Sequence, residues 1–472
     1  MPLIFGANSV SGYTVKNSLR FNSGSSDYLN RTPASAGNRK TWTYSAWIKR
    51  VNLATADVFL SVGVDSSNYF NIYFQDDSTQ SYLILYQITS AATDLRLVSS
   101  AMYRDVSAWY HLVVSCDTTQ ATASNRLKAY INGTEVTSFS TATYPTQNLD
   151  TRMNSTQSHN IGKFQFASSY SNQYLSEVYL IDGQALTPSS FGETDTDTGI
   201  WIPKAYTGTY GTNGFFLKFL NSASLGTDSS GNGNNFTVNN LTSVDQSTDT
   251  PTNNFCTLNP LVQAGSITSG ATHTFSNGNL TLTGGTSKWI ADYGSFAVKQ
   301  GKWYYEMKLT TFADAVGSPI RIGWGAINDV VKDDNIYFRG LTYDLQGIVR
   351  YGSGGVDGGT TTGQTSFSQS DIVGIAIDVD NDRITFYKNG TVTSVSNFDY
   401  SSLTTNIKKS LGFDIAPHIV MYANNSNLVD FNFGNPQYTA NGYTDGAGYG
   451  NFSYAVPSGY YALCTKNLAN YG

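Results

Sequence analysis

The sequence is short of charge. Asp, Glu, Lys and Arg make up 13% of its 472 residues, about half the roughly 25% of an average soluble protein. It has no Lys/Arg run able to track a phosphate backbone, and its net charge is −6. Nucleic acid is therefore not an expected partner. Cysteine is equally scarce: Cys116, Cys256 and Cys464 stand far apart, with no Cys-x-x-Cys pair. That spacing excludes a disulfide scaffold and argues against a thiolate zinc site. Cys116 closes the apolar run from Leu112 and reads as a small buried thiol. No stretch approaches the roughly 18 apolar residues of a membrane span, so no insertion is expected. The opening Met1-Pro2-Leu3-Ile4-Phe5-Gly6 lacks a basic n-region and a long apolar stretch, so no signal peptide is expected.

What fills the space is polar-neutral and aromatic. Aromatics reach 14%, with 32 Tyr and 25 Phe, which sets the chain apart from disordered sequences. The length suits two or three domains. Segments such as Thr41 to Lys49, Tyr69 to Phe74, Tyr82 to Ile88 and Trp109 to Ser115 alternate apolar with polar residues between Gly/Ser/Asn/Asp clusters, the spacing of an all-β sandwich. No segment of useful length keeps the 3.6-residue helical period. Leu186 to Phe191 suits one helical turn, with Thr187 as N-cap and Pro188 at the first helical position.

In the C-terminal half, Lys302-Trp303-Tyr304-Tyr305-Glu306, Asp371 to Asp378 and Ile384 to Gly390 read as strands, the last closing on Asn389-Gly390. Asn and Gly tolerate the positive φ that a two-residue hairpin needs. In this order, with Phe431-Asn432-Phe433-Gly434 following, the set resembles the SPRY domain, which implies a recognition sandwich with no acid, base or nucleophile of its own. In the N-terminal half, Trp109 to Val114, then Leu127 to Thr134, then Glu177 to Asp182 resemble the laminin-G-like branch of the concanavalin A-like lectin superfamily. The fold class expected is all-β: two tandem β-sandwiches, a concanavalin A-like jelly roll followed by a SPRY-like sandwich. Arg126 to Thr134 and Arg383 to Thr391 echo one another: a basic residue, an alternating strand, then Asn-Gly-Thr. Two similar folds in tandem explain the echo, as does shared hairpin chemistry.

The organisation expected is an N-terminal arm over 1–13, a laminin-G-like sandwich over 14–191, a connector over 192–255, a SPRY-like sandwich over 256–445 and a C-terminal extension over 446–472. The apolar tip Leu3, Ile4 and Phe5 of the arm suits docking onto a neighbouring protein. Trp201-Ile202 and Gly214 to Phe219 are too apolar for a flexible linker, so the connector is expected to be ordered and to add a strand to one sandwich. The loop Asp228 to Asn235 is oxygen-rich. A Gly/Asn turn is one reading; Ca²⁺ held by Asp228, Asn232 and Asn234 is the other, and no further cofactor is expected.

Glucanases share the concanavalin A-like fold and need paired carboxylates, as in Glu-x-Asp-x-x-Glu on one strand. The nearest string, Glu193-Thr194-Asp195-Thr196-Asp197, lacks the final Glu and reads as a solvated loop. His111, His159, His273 and His418 share no metal-ligand spacing. His111 reads as a satisfied core or rim residue. Ligand-contacting aromatics are expected in the SPRY-like half, at Tyr337, Phe338, Arg339, Tyr343 and Tyr351.

The string Asp249 to Phe255 and the tail Val456 to Leu463 resemble stretches of virion appendage proteins of marine bacteriophages. That resemblance implies a non-enzymatic virion surface protein, made in the host cytoplasm: a tail fibre, spike or capsid-surface appendage. It would contact other virion proteins, bind a host surface glycan or envelope protein and assemble as a homo-oligomer. The alternatives are a capsid decoration protein without a receptor role and a glycan-processing enzyme.

Overall fold

The computed structural model describes residues 12–75, 81–265, 273–284, 289–312, 320–326, 340–353, 356–363, 365–401, 414–422 and 427–472. The chain divides into two compact units, with the boundary between Asn254 and Phe255. The expected docking residues Leu3, Ile4 and Phe5 lie outside the described residues, as do Tyr337, Phe338 and Arg339.

The first unit is a sandwich of two eight-stranded sheets. One runs β10 (Thr134–Glu135), β9 (Leu127–Ile131), β8 (Trp109–Asp117), β3 (Thr41–Arg50), β13 (Gln173–Asp182), β1 (Ser18–Phe21), β18 (Gln246–Ser247), with β16 (Phe215–Leu217) pairing off β13. The other runs β11 (Phe139–Thr143), β7 (Ala92–Met102), β6 (Tyr82–Thr89), β5 (Asn68–Phe74), β4 (Asp57–Asp65), β12 (Ser158–Ile161), β2 (Tyr28–Arg31), β17 (Thr237–Asn239). Alternation aims one face of each strand inward. Trp42, Tyr44, Ala46 and Ile48 of β3 meet Phe70, Ile72 and Phe74 of β5 in one core.

The connector belongs to this sandwich. β16, β17 and β18 all come from it, so it closes the edges of both sheets. Lys49 Nζ, buried, reaches back to Asp249 Oδ2 at 2.7 Å and Asn254 Oδ1 at 2.7 Å. Glu193 does not lie in a loop. It sits in β14 (Gly192–Thr194), which forms a hairpin with β15 (Trp201–Pro203). The Asp195 carboxylate holds the turn by accepting from Asp197 N, Thr198 N and Thr198 Oγ1. Thr187 and Pro188 open a single 3₁₀ turn over Pro188–Ser190, as the sequence suggests.

The second unit is again two sheets, of seven and nine strands. Trp109 to Ser115 lies within β8 at the middle of one sheet of the first unit. The strand Ile372–Asp378 lies between Lys302–Thr311 and Arg383–Lys388 in the second unit. Both are thus interior strands, one in each of the two units. The stretch 446–472 is stitched in. Tyr461–Ala462 pairs in parallel with Lys302–Thr311, and the buried Glu306 carboxylate accepts from Ser453 N and Tyr454 N. It ends in a helix, Thr465–Tyr471, whose seven residues are too few to show a helical period in sequence.

The echo between the halves is structural too. Asn132 and Gly133 (φ 48° and 79°) match Asn389 and Gly390 (φ 50° and 76°), both left-handed at both turn positions. Asn132 Oδ1 accepts from His111 N at 2.7 Å, and Asn389 Oδ1 accepts from Ile372 N at 2.8 Å. In each unit the turn asparagine also ties the hairpin to the preceding strand.

Candidate functional site

Of the residues expected to contact a ligand in the second unit, Tyr343 and Tyr351 lie among the described residues. Tyr343 is a core residue, 1% exposed, stacked on Phe386 at 4.8 Å and packed on Phe367. Burial raises its phenol to about 12. The phase of its strand, with Leu341 also inside, points it inward, away from any surface ligand. Tyr351 is half-buried and packs against the same core. The loop from Asp228 is organised without a cation. Both oxygens of Asp228 already accept from the chain: Phe216 N and Ser230 N on Oδ1, Ser230 Oγ and Asn234 N on Oδ2. Asn232 and Asn234 turn their amide N–H groups to the Gly211, Thr212 and Gly214 carbonyls, and the Arg31 guanidinium donates to Asn234 Oδ1. These are the contacts that the Gly/Asn turn reading expects, and a cation held by Asp228, Asn232 and Asn234 would have to displace them.

One contact mimics a catalytic pair. Ser45 Oγ lies 2.9 Å from His111 Nε2, both buried. In a nucleophile–base pair the imidazole must accept the hydroxyl proton, so its far nitrogen donates to an orienting acceptor. Here the far nitrogen accepts instead: Trp201 Nε1–H donates to His111 Nδ1 at 2.9 Å. That fixes the proton on Nε2, where it donates to Ser45. Burial pushes His111 down to about 3, and Trp47 stacks on it at 4.7 Å. The group is structural.

The two sheets of the first unit differ on their outer faces. On the sheet containing β3 and β8, the connector lays down an aromatic stack: Tyr206 on Phe191 (5.1 Å), Phe191 on Tyr179 (5.2 Å), Tyr179 on Phe216 (4.0 Å). Trp201 covers His111 beside it.

The outer face of the other sheet carries a polar row. Register aligns Thr237, Asn30, Asn160, Ser61, Asn71, Tyr86, Arg96 and Thr143, one residue from each of its eight strands. Their strand neighbours Leu29, Ile161, Val62, Ile72, Leu85 and Leu97 point into the core, so the row faces outward. A ridge from the chain after β12 crosses its middle: Gln165 N donates to Ser61 Oγ at 2.9 Å, Ser61 Oγ donates to Asn71 Oδ1 at 2.7 Å, and Asn160 Nδ2 donates to Gln165 Oε1. Phe164 and Phe166 of this ridge pack against Tyr73 (5.1 Å) and Tyr69 (4.3 Å) of β5. Tyr69 meets Tyr86 edge-on at 5.5 Å, and the Arg96 guanidinium lies over the Tyr86 ring at 5.3 Å. Phe166 is 38% exposed; Tyr69, Tyr73 and Tyr86 are half-buried. Burial, with the neighbouring Tyr86 hydroxyl, pushes Tyr69 up to about 12, so its hydroxyl stays a donor at neutral pH. Rigid rings with polar tips, beside fixed amides, suit a ligand with apolar C–H faces and many hydroxyls. Sequence reasoning missed this face because it is defined by register across distant strands.

Among the described residues no group of three or more His, Cys, Asp or Glu side chains is arranged to hold a metal. No helix there is long and apolar enough to cross a membrane.

Comparison with known proteins agrees with the two sandwiches. Residues 23–190 match the family model of the concanavalin A-like lectin/glucanases superfamily, in its laminin-G form. Residues 302–436 match that of the SPRY domain. No curated protein sequence matches the chain. Among solved structures, it is similar to the SPRY domain of human HERC1, at 17% identity, covering 37% of this chain and 96% of that one with a TM-score of 0.28. It is similar to a SAP-like pentraxin of Limulus polyphemus at 16% identity, covering 37% and 80%, TM-score 0.27. Domains LG4-5 of the mouse laminin α1 chain align at 12% identity over 91% of each chain, TM-score 0.30. The chain thus has a stretch that matches the laminin-G form of the concanavalin A-like superfamily followed by one that matches the SPRY domain, in an all-β architecture.

Proposed function

We propose that this chain is a non-enzymatic recognition protein and that the outer face of the β11–β17 sheet is where it holds a glycan. The observation that carries the reading is the end of the polar row at Tyr86, Arg96 and Thr143, where Arg96 and Thr143 are exposed beside the half-buried Tyr69 and Tyr86, while the ridge covers the row's middle and the connector covers the other sheet. The Ser45–His111 tautomer supports binding without catalysis, as does the exposed ion pair of Glu193 with Lys204 at 3.4 Å. The resemblance of Asp249 to Phe255 and Val456 to Leu463 to phage appendage sequences supports a site of action on a virion surface, facing a host envelope. Glycan-array binding by the full chain tests the face: Tyr69→Ala with Tyr86→Ala should lower binding about tenfold or more at unchanged thermal stability. Binding that ignores both substitutions contradicts the reading, as does release of reducing sugar from any bound glycan. Mass spectrometry of purified particles tests the virion role, which fails if the chain is absent from them.

A further inference from the structure

The candidate face has an exposed cation. Among the described residues Arg96 takes part in no ion pair, although the chain as a whole is acidic at −6. The adjacent acid, Asp94, is engaged elsewhere, accepting from Gln87 Nε2 at 2.9 Å and Thr89 Oγ1 at 2.6 Å. Arg96 is also oriented. The Tyr86 ring beneath the guanidinium attracts it electrostatically, which leaves the N–H edge free to meet a ligand. A guanidinium edge matches the two oxygens of a carboxylate in parallel, a fit a lysine cannot reproduce. The Tyr69 hydroxyl is hydrogen-bonded to that of Tyr86, which holds in place the ring that carries the guanidinium.

We propose that Arg96 on the Tyr86 ring anchors a sugar carboxylate, which makes uronate-bearing glycans the ligand class of this face. The proposal rests on the reading of the face as a glycan site. A second cation of this unit, Lys163, sits between the Tyr28 and Tyr170 rings at 4.7 and 5.4 Å. Tyr28 belongs to β2, four strand positions from the β6 that carries Tyr86, so Lys163 does not serve the same carboxylate.

The test is calorimetric titration of the full chain with an oligogalacturonate and with the same oligomer methyl-esterified, which keeps the backbone and removes the charge. Wild-type protein should prefer the free acid by about tenfold. Arg96→Gln should abolish that preference, Arg96→Lys should restore only part of it, and Lys163→Gln should leave it in place. Each variant is checked for unchanged thermal unfolding. Dextran sulfate serves as the sulfate arm: if it displaces the uronate at equal charge concentration, the site is a general anion site and the proposal fails. It fails as well if the ester binds as tightly as the acid, if Arg96→Gln keeps the preference, or if neither oligomer binds. The glycan array separates the two readings. Hits confined to neutral glycans and sensitive to Tyr86→Ala leave the face standing and remove the uronate, whereas a blank array removes both.

Discussion

The two outer faces of the first sandwich are built from the same residue types and end in different states. On one, Tyr179, Phe191, Tyr206 and Phe216 are stacked on one another and Trp201 lies over His111, with the connector supplying Trp201, Tyr206 and Phe216. On the other, Tyr69, Tyr73 and Tyr86 stand half-buried along a polar row, with Phe166 and Phe164 of the ridge on the first two and the Arg96 guanidinium over the third. What separates them is the chain after residue 191, which pairs β16 onto β13 and folds its aromatics over that sheet only. An abundance of tyrosine therefore does not mark a binding surface. What sets the second face apart is an exposed guanidinium held over a half-buried ring, Arg96 on Tyr86, which the aromatic stack of the first face does not have.

The largest effect should come from breaking the covered side. Asp249→Ala would strand buried Lys49 without its ion partner, and removing one member of such a pair costs about 3–5 kcal/mol. Chemical denaturation should show that loss in the first unit, whereas a loss below about 1 kcal/mol would mean the connector is not integral to it. On the open side, Tyr69→Ala with Tyr86→Ala should do the reverse: glycan binding falls about tenfold, near 1.4 kcal/mol, while the unfolding midpoint barely moves.

A third difference is in acid. His111 is held neutral in the fold, at about 3, against 6.5 when free. Between those values the unfolded chain takes up a proton that the folded chain refuses, so this group's contribution to stability falls as pH falls. The limiting slope is about 1.4 kcal/mol per pH unit. Urea unfolding at pH 7 and pH 5 should show wild type losing more stability on acidification than His111→Asn; equal losses would remove His111 as the cause. The smallest effect is expected at Glu193. Its bridge to Lys204 is about half exposed on both sides, so Glu193→Gln should change stability by no more than about 0.5 kcal/mol and leave glycan binding intact.

Much of this architecture was legible in the sequence, for physical reasons. Long alternating runs such as Thr41–Arg50 and Trp109–Asp117 fix their own faces, and Asn132-Gly133 and Asn389-Gly390 fix their own turns. Of the connector's strands, Phe215–Leu217 was legible from its apolar run, whereas Thr237–Asn239 and Gln246–Ser247, two or three residues long and polar, owe their form to distant partners. Tyr343 misled because a Tyr near a Gly-rich span reads as a loop aromatic, while its two-residue phase with Leu341 sends it inward. The candidate face was hidden for a stronger reason: each strand supplies it with one residue of the row, and only the register brings Asn30, Asn71, Tyr86 and Arg96 into line.

The most direct test sets the two faces against each other in one sample. Hydroxyl-radical footprinting of the full chain, with and without a glycan identified on the array, reads the half-buried tyrosines of both sheets together. The account predicts that bound glycan protects Tyr69, Tyr73 and Tyr86, while oxidation of Tyr130, Tyr206 and Tyr210, which pack with Tyr179, Phe191 and Phe216 on the other sheet, stays unchanged. Protection of Tyr206 and Tyr210 with Tyr69 and Tyr86 unaffected would place the ligand on the opposite face and contradict it.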